Sequence, residues 1–160
     1  MSPLRPVRAA RGFTLVEVMV VLVIIGITLG LVSLNAMPSP QQTLQAEAQR
    51  IALLLQLARD EAIVRNRLVA FEADPERYRF LVRNETRWDP ITQDDLLRER
   101  AFKSAPVALQ LDPPGAGAAA NGLRITFGRE PVDRPFVLTL RNGERMVAIR
   151  ADGIGHFTVE

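Results

Sequence analysis

Residues 13–34 contain 22 positions with a single charge, Glu17, and no charge falls between Val18 and Leu34. A helix needs roughly 20 apolar residues to cross the hydrocarbon core of a bilayer, so this stretch is expected to span one, and the Val and Ile that dominate it suit a lipid surround. Arg5, Arg8 and Arg11 precede it, whereas the next charge after it is Glu47. That asymmetry predicts a single-pass anchor with its N-terminus in the cytoplasm and the rest of the chain outside it. The same three arginines explain the basic pI of 9.9: without them the 20 Lys and Arg fall to 17, against 18 Asp and Glu. The rest of the chain is not basic, and no specific nucleic-acid partner is expected from it.

Beyond the anchor, 160 residues with 48% hydrophobic content suffice for one domain with a core. The chain has no Cys and one His, His156, which excludes a disulfide scaffold, a thiolate nucleophile, Cys-ligated metal and any relay of two imidazoles. Ser33 lies in the apolar stretch, Ser39 beside prolines and Ser104 beside charged residues, and no base can be assigned to any of them. Asp94-Asp95 lacks the glycine and glutamate spacing of a calcium loop. The chain therefore reads as a non-enzyme without cofactor or metal.

Two ordinary explanations of the apolar stretch leave residues unaccounted for. A secretory signal peptide cut after Ala36 would place Leu34 where a small residue is wanted, and it would tolerate Glu17 poorly. A plain anchor gives no reason for that glutamate or for a glycine just before Phe13. Arg11-Gly12-Phe13-Thr14-Leu15-Val16-Glu17 resembles the leader junction of type IV pilins and type II secretion pseudopilins. The resemblance implies cleavage after Gly12 by a prepilin peptidase, with residues 1–12 as leader, and N-methylation of the new first residue, Phe13. It also implies a role for Glu17 in assembly, pairing with the freed amine of a neighbouring subunit so that a costly charge becomes a register-setting contact. From burial physics alone, Glu17 could equally reach water at the membrane interface.

The anchor half of the helix is expected over residues 13–36 and an amphipathic half over 37–67, with Pro38 and Pro40 kinking or briefly breaking it. Leu44, Ala48, Ile51, Leu55, Ala58 and Ala62 recur at helical spacing on one face, with Gln45, Gln49, Arg59 and Arg65 around the other and Glu61 poised for Arg65. Short alternating strands with turn signals follow over 68–160. Leu68 to Glu72 and Tyr78 to Arg83 form a hairpin about Asp74-Pro75. Alternation then recurs at Val107, Leu109 and Leu111, at Leu123, Ile125 and Phe127, and at Phe136, Leu138 and Leu140. Asn142-Gly143 marks another hairpin into Met146 to Arg150, and a last strand runs through Phe157 and Val159. Asp112 to Gly122 reads as a loop and Asn84 to Lys103 as charged and irregular, with Trp88 capping the core. The predicted class is α+β, a pilin-like fold with a long N-terminal helix on antiparallel β-sheet.

The stretch from Leu57 to Asn66, with Val69, Tyr78-Arg79-Phe80-Leu81, Trp88 and Leu96 to Arg100, resembles the minor pseudopilin H family of type II secretion. That implies assembly at or near the pseudopilus tip in support of export of folded proteins across the outer membrane. The implied partners are the prepilin peptidase, the other minor pseudopilins of the tip, the major pseudopilin and the inner membrane. The alternative is a minor type IV pilin of the FimT and FimU type, acting in pilus assembly or DNA uptake, for which Arg141, Arg145 and Arg150 are the candidate residues.

Overall fold

The helical part of the chain is interrupted where its prolines cluster. In the computed structural model, which describes residues 13–35, 38–114, 118–119 and 122–160, α1 spans Leu15–Asn35 and α2 spans Pro40–Val64. Proline has no amide to donate at the first turn of a helix, which is where Pro40 sits, and it holds the preceding Ser39 in extended backbone at φ −64° and ψ 152°. Ser39 is then a complete N-cap: Gln42 N–H donates to its Oγ (3.2 Å), and its own N–H donates to Gln42 Oε1 (2.9 Å). The chain divides at this break into two units, one ending at Pro38 and the other running from Ser39 to Glu160.

In the first unit, every described side chain of α1 is exposed. Thr28 satisfies its hydroxyl within the helix by donating to Ile24 O (2.9 Å) and Ile25 O (3.0 Å). The side chains of residues 31–35 lie outside the described set, and among the described residues no helix is long and apolar enough to cross a membrane.

The second unit is two antiparallel sheets with α2 packed against them. The first sheet contains β1 (Val69–Ala73), β2 (Arg77–Asn84), β3 (Arg87–Pro90), β4 (Arg100–Ala101), β6 (Ala118–Ala119) and β7 (Gly122–Phe127). Their order is β3-β2-β1-β7-β6, with β4 also paired to β2. The second, in the order β10-β9-β8-β5, contains β5 (Ala108–Asp112), β8 (Phe136–Asn142), β9 (Arg145–Ala151) and β10 (Phe157–Val159). The stripe Leu44, Ala48, Ile51, Leu55, Ala58 and Ala62 is fully buried, with α2 against β1 of the first sheet and β9 and β10 of the second. Phe71 pairs in register with Phe80 on one side and Ile125 on the other, and Leu138 with Ile149, which puts these side chains on the inner faces. Tyr78 joins them, its ring 5.9 Å from Phe71 and 5.2 Å from Phe102. The β8–β9 hairpin forms where predicted, but its two-residue loop is Gly143-Glu144 rather than Asn142-Gly143, since Asn142 still pairs with Arg145 and Gly143 takes the turn at φ +59°.

Four expectations need correction. Asn84 to Lys103 is not irregular throughout, since β3 and β4 lie within it, and Asp112 to Gly122 contains β6. Trp88 does not cap the core: it sits opposite Arg83 on the outward side of the first sheet, half-buried. Arg59 does not face water. It is buried, donating Nη2–H to Pro131 O, and Gly155, at φ +115°, passes so close that a Cβ there would lie 2.6 Å from Arg59 Nη1. Its Nε has no partner among the described residues.

Candidate functional site

Thr14 begins α1. Its carbonyl accepts from Glu17 N–H (3.1 Å) and Val18 N–H (3.3 Å), and its Oγ1 accepts from Glu17 N–H at 3.3 Å. That is the geometry of an N-cap, so Thr14 precedes the first helical residue and Glu17 stands three residues on, where a capping box places its acid. Only the hydroxyl half of the box is made. The first turn also presents unpaired amide groups and the positive end of the helix dipole, next to which an acidic side chain is well placed. Glu17 is exposed, and its carboxylate has no hydrogen-bond or ion-pair partner among the described residues.

Phe13 is 81% exposed and lies outside the helix, one residue before the cap. Gly12 lies outside the described residues, as do the three leader arginines. Thr14 is the residue that the leader motif leaves without a role and to which the geometry gives one. Its signal is present in the sequence as Thr-x-x-Glu directly before an apolar run.

The other residues singled out are dispersed and engaged in holding the second unit. Ser39 caps α2, and the carbonyl of Ser104 accepts from Asn142 Nδ2 at 2.6 Å. Asp94 Oδ1 accepts from Leu96 N–H at 2.7 Å and fixes its loop. Among the described residues no group of three or more His, Asp and Glu could hold a metal. His156 Nδ1 lies 2.7 Å from Asp152 Oδ2, while Asp152 Oδ1 accepts three backbone amides, from Ile154, Gly155 and His156. Loss of hydration pushes the Asp152 carboxyl up, and the hydrogen bonds from His156, from its backbone and from Ile154 outweigh that, bringing its pKa to about 2.

Of the three arginines considered for DNA, Arg141 and Arg145 are exposed, and Arg150 is held by Glu160, Nε to Oε1 3.0 Å. The hydrogen bond and charge of Arg150 keep the Glu160 carboxyl below its ordinary value. One of the three is therefore already neutralised by a carboxylate, which weakens phosphate capture there.

The described geometry has counterparts in known proteins. Residues 47–155 match the family model of the type II transport protein GspH, and residues 7–33 match the prokaryotic N-terminal methylation motif. The chain is 35% identical over 141 residues to the type II secretion system protein H of Pseudomonas aeruginosa, covering 86% of this chain and 79% of that one. The crystal structure of the minor pseudopilin EpsH from the type II secretion system of Vibrio cholerae superposes with a TM-score of 0.59 at 16% identity. The match covers 76% of this chain and 95% of EpsH. The solution structure of Escherichia coli GspH gives 0.55 at 19% identity, over 74% of this chain and 89% of that one. These two structures have the same pilin-like fold.

Proposed function

The chain belongs to the GspH family of type II transport proteins and carries the N-terminal methylation motif, and on that premise we propose that it works as a minor pseudopilin of a type II secretion system. In this reading it assembles at or near the pseudopilus tip, alongside the other minor pseudopilins and the major pseudopilin, and supports export of folded proteins across the outer membrane. The observation that carries the reading is the coincidence, in one short segment, of a basic leader, a Gly12-Phe13 junction, a Thr14-capped helix start and one carboxylate, Glu17, in the apolar run.

Each part has a task. Gly12 offers a peptide bond unhindered by a side chain, which suits cleavage before Phe13 by a prepilin peptidase, and the arginines hold the junction near anionic headgroups. The new amine on Phe13 is methylated. In the filament, Glu17 accepts from the N-terminal amine of a neighbouring subunit, an ion pair that matters most away from water. Residues 13–36 anchor the chain in the inner membrane with residues 37–67 and 68–160 in the periplasm.

The test is Glu17→Ala in the full chain, expressed in secreting cells. Intact mass should give a species beginning at methylated Phe13 for both parent and variant. The variant should fold but fail to crosslink to the other pseudopilins, and secretion should fall. A parent chain beginning at Met1 or near Met37 would overturn the processing scheme. A variant that assembles and secretes like the parent would reduce Glu17 to an interfacial residue reaching for water.

A further inference from the structure

The outward face of the first sheet collects charge that the chain as a whole does not have. By strand alternation and register, β2 turns Arg77, Arg79, Leu81 and Arg83 outward, β3 turns Trp88 and Pro90, β1 turns Ala70 and Glu72, and β7 turns Arg124 and Thr126. Four arginines thus face one glutamate, and Arg77 is matched separately by Glu99 at 3.2 Å.

The remaining side chains form a continuous network. Glu72 receives Arg79 on Oε1 (Nε 3.0 Å, Nη2 2.5 Å) and Arg124 on Oε2 (Nε 3.0 Å, with Nη2 also bonded). Burial pushes the Glu72 carboxyl up, but these two guanidiniums more than offset it and hold it ionised below its usual value. Arg124 then reaches the Trp88 ring, 5.4 Å from its centroid, and Arg83 stacks at 5.3 Å. Arg83 donates Nε–H to Glu85 O (3.1 Å) and has no ion pair among the described residues. Beneath, Ala70 and Leu81 are buried, 0% and 3% exposed, although they do not belong to the core between α2 and the sheets.

We propose that this face, with the Arg83–Trp88–Arg124 stack at its centre, is a docking surface for a carboxylate-rich segment of another protein. Tryptophan and arginine dominate binding hot spots, and here both are fixed before any partner arrives, which removes much of the ordering cost of association. The surplus is two positive charges around a single glutamate, so the complementary surface is acidic. A nucleic acid fits less well, because capture of a phosphate backbone grows with the number of free cations and Arg79 and Arg124 are already shared with Glu72.

Trp88 is the only tryptophan in the chain, so its emission reports on this face alone. The full chain in detergent micelles, titrated with octaglutamate at physiological salt, should show a saturable change in that emission. Arg83→Glu should weaken binding by roughly tenfold or more, and Arg83→Lys by less, since the charge survives without the planar stack. Arg141→Glu, on β8 of the other sheet, should bind within about twofold of the parent because only long-range screened charge is lost. Circular dichroism of each unliganded variant checks that the fold is kept. The proposal is overturned by no saturable change in the parent, by equal binding of Arg83→Glu and the parent, or by equal loss in Arg141→Glu. Tighter binding of a short DNA duplex than of octaglutamate at the same salt would also overturn it, in favour of a nucleic-acid partner.

Discussion

α1 and α2 are consecutive helices of 21 and 25 residues, and they meet opposite surroundings. α2 buries ten side chains in one stripe and shows glutamines on its other side, whereas every described side chain of α1 is exposed although nearly all are apolar. A one-sided helix takes its stability from the sheets it covers. A helix that is apolar all round takes it from whatever surrounds it, which in the proposed reading is lipid and neighbouring anchors. Each also starts with a hydroxyl cap, complete at Ser39 and half-made at Thr14, where the acid at the box position, Glu17, does not close it.

The largest break in symmetry should come from equal truncations in the two helices. Leu55→Ala removes a fully buried side chain between α2 and the sheets and should cost about 2–5 kcal/mol, lowering Tm of the full chain in micelles by on the order of 10 °C. Leu22→Ala in α1, where the side chain is 62% exposed, should stay within about 0.5 kcal/mol of the parent in the same melt. A comparable loss from both would mean that α1 contributes to the stability of the folded body, contrary to this division of labour.

The caps give a smaller contrast. Ser39→Ala deletes the hydroxyl half of a complete box, leaving the backbone N–H bonded to Gln42, and should cost about 1 kcal/mol, a fall of a few degrees in Tm. Thr14→Ala should leave that melt unchanged and be felt, if anywhere, in processing and assembly. Equal shifts from the two would show one cooperative helix running through the prolines.

What the sequence reveals follows from which interactions are local. The stripe on α2 is legible because helical period and residue type suffice for it, and the β8–β9 hairpin because its turn chemistry is local, carried by Gly143, although its loop falls one residue later than the Asn-Gly pair suggests. Arg59 is not legible: periodicity assigns a charged residue outward, while its acceptor, Pro131 O, lies 72 residues on and is brought over α2 only by the completed sheets. Glu47 is similar, buried because both carboxylate oxygens accept Lys103 N–H at 2.9 and 3.1 Å from 56 residues away. β3 and β4 are four and two residues long, too short to show alternation, so the side of the sheet on which Trp88 falls depends on register with β2. In the N-terminal methylation motif, Gly12, Phe13 and Glu17 stand out as a spacing, whereas Thr14 becomes informative only once the helix start is fixed.

The smallest expected effect concerns the turn that closes over the C-terminal part of α2. Gly155 passes over Arg59, and Asp152 holds that turn through three backbone amides and His156. The carboxyl has a pKa of about 2 in the folded chain against an ordinary 3.8, so it binds a proton less readily folded than unfolded. A group depressed in this way adds stability that is fully present above its unfolded value and is lost as pH falls from about 4 through about 2. Asp152→Asn should therefore lower Tm slightly at neutral pH and flatten the acid limb of the Tm profile between those values. The group is exposed and its charge is screened, so the shift should be smaller than that from Ser39→Ala and should shrink as salt is added. An acid limb identical in parent and variant would mean that the turn is held by its backbone alone and that Arg59 keeps its place under Gly155 without help from Asp152.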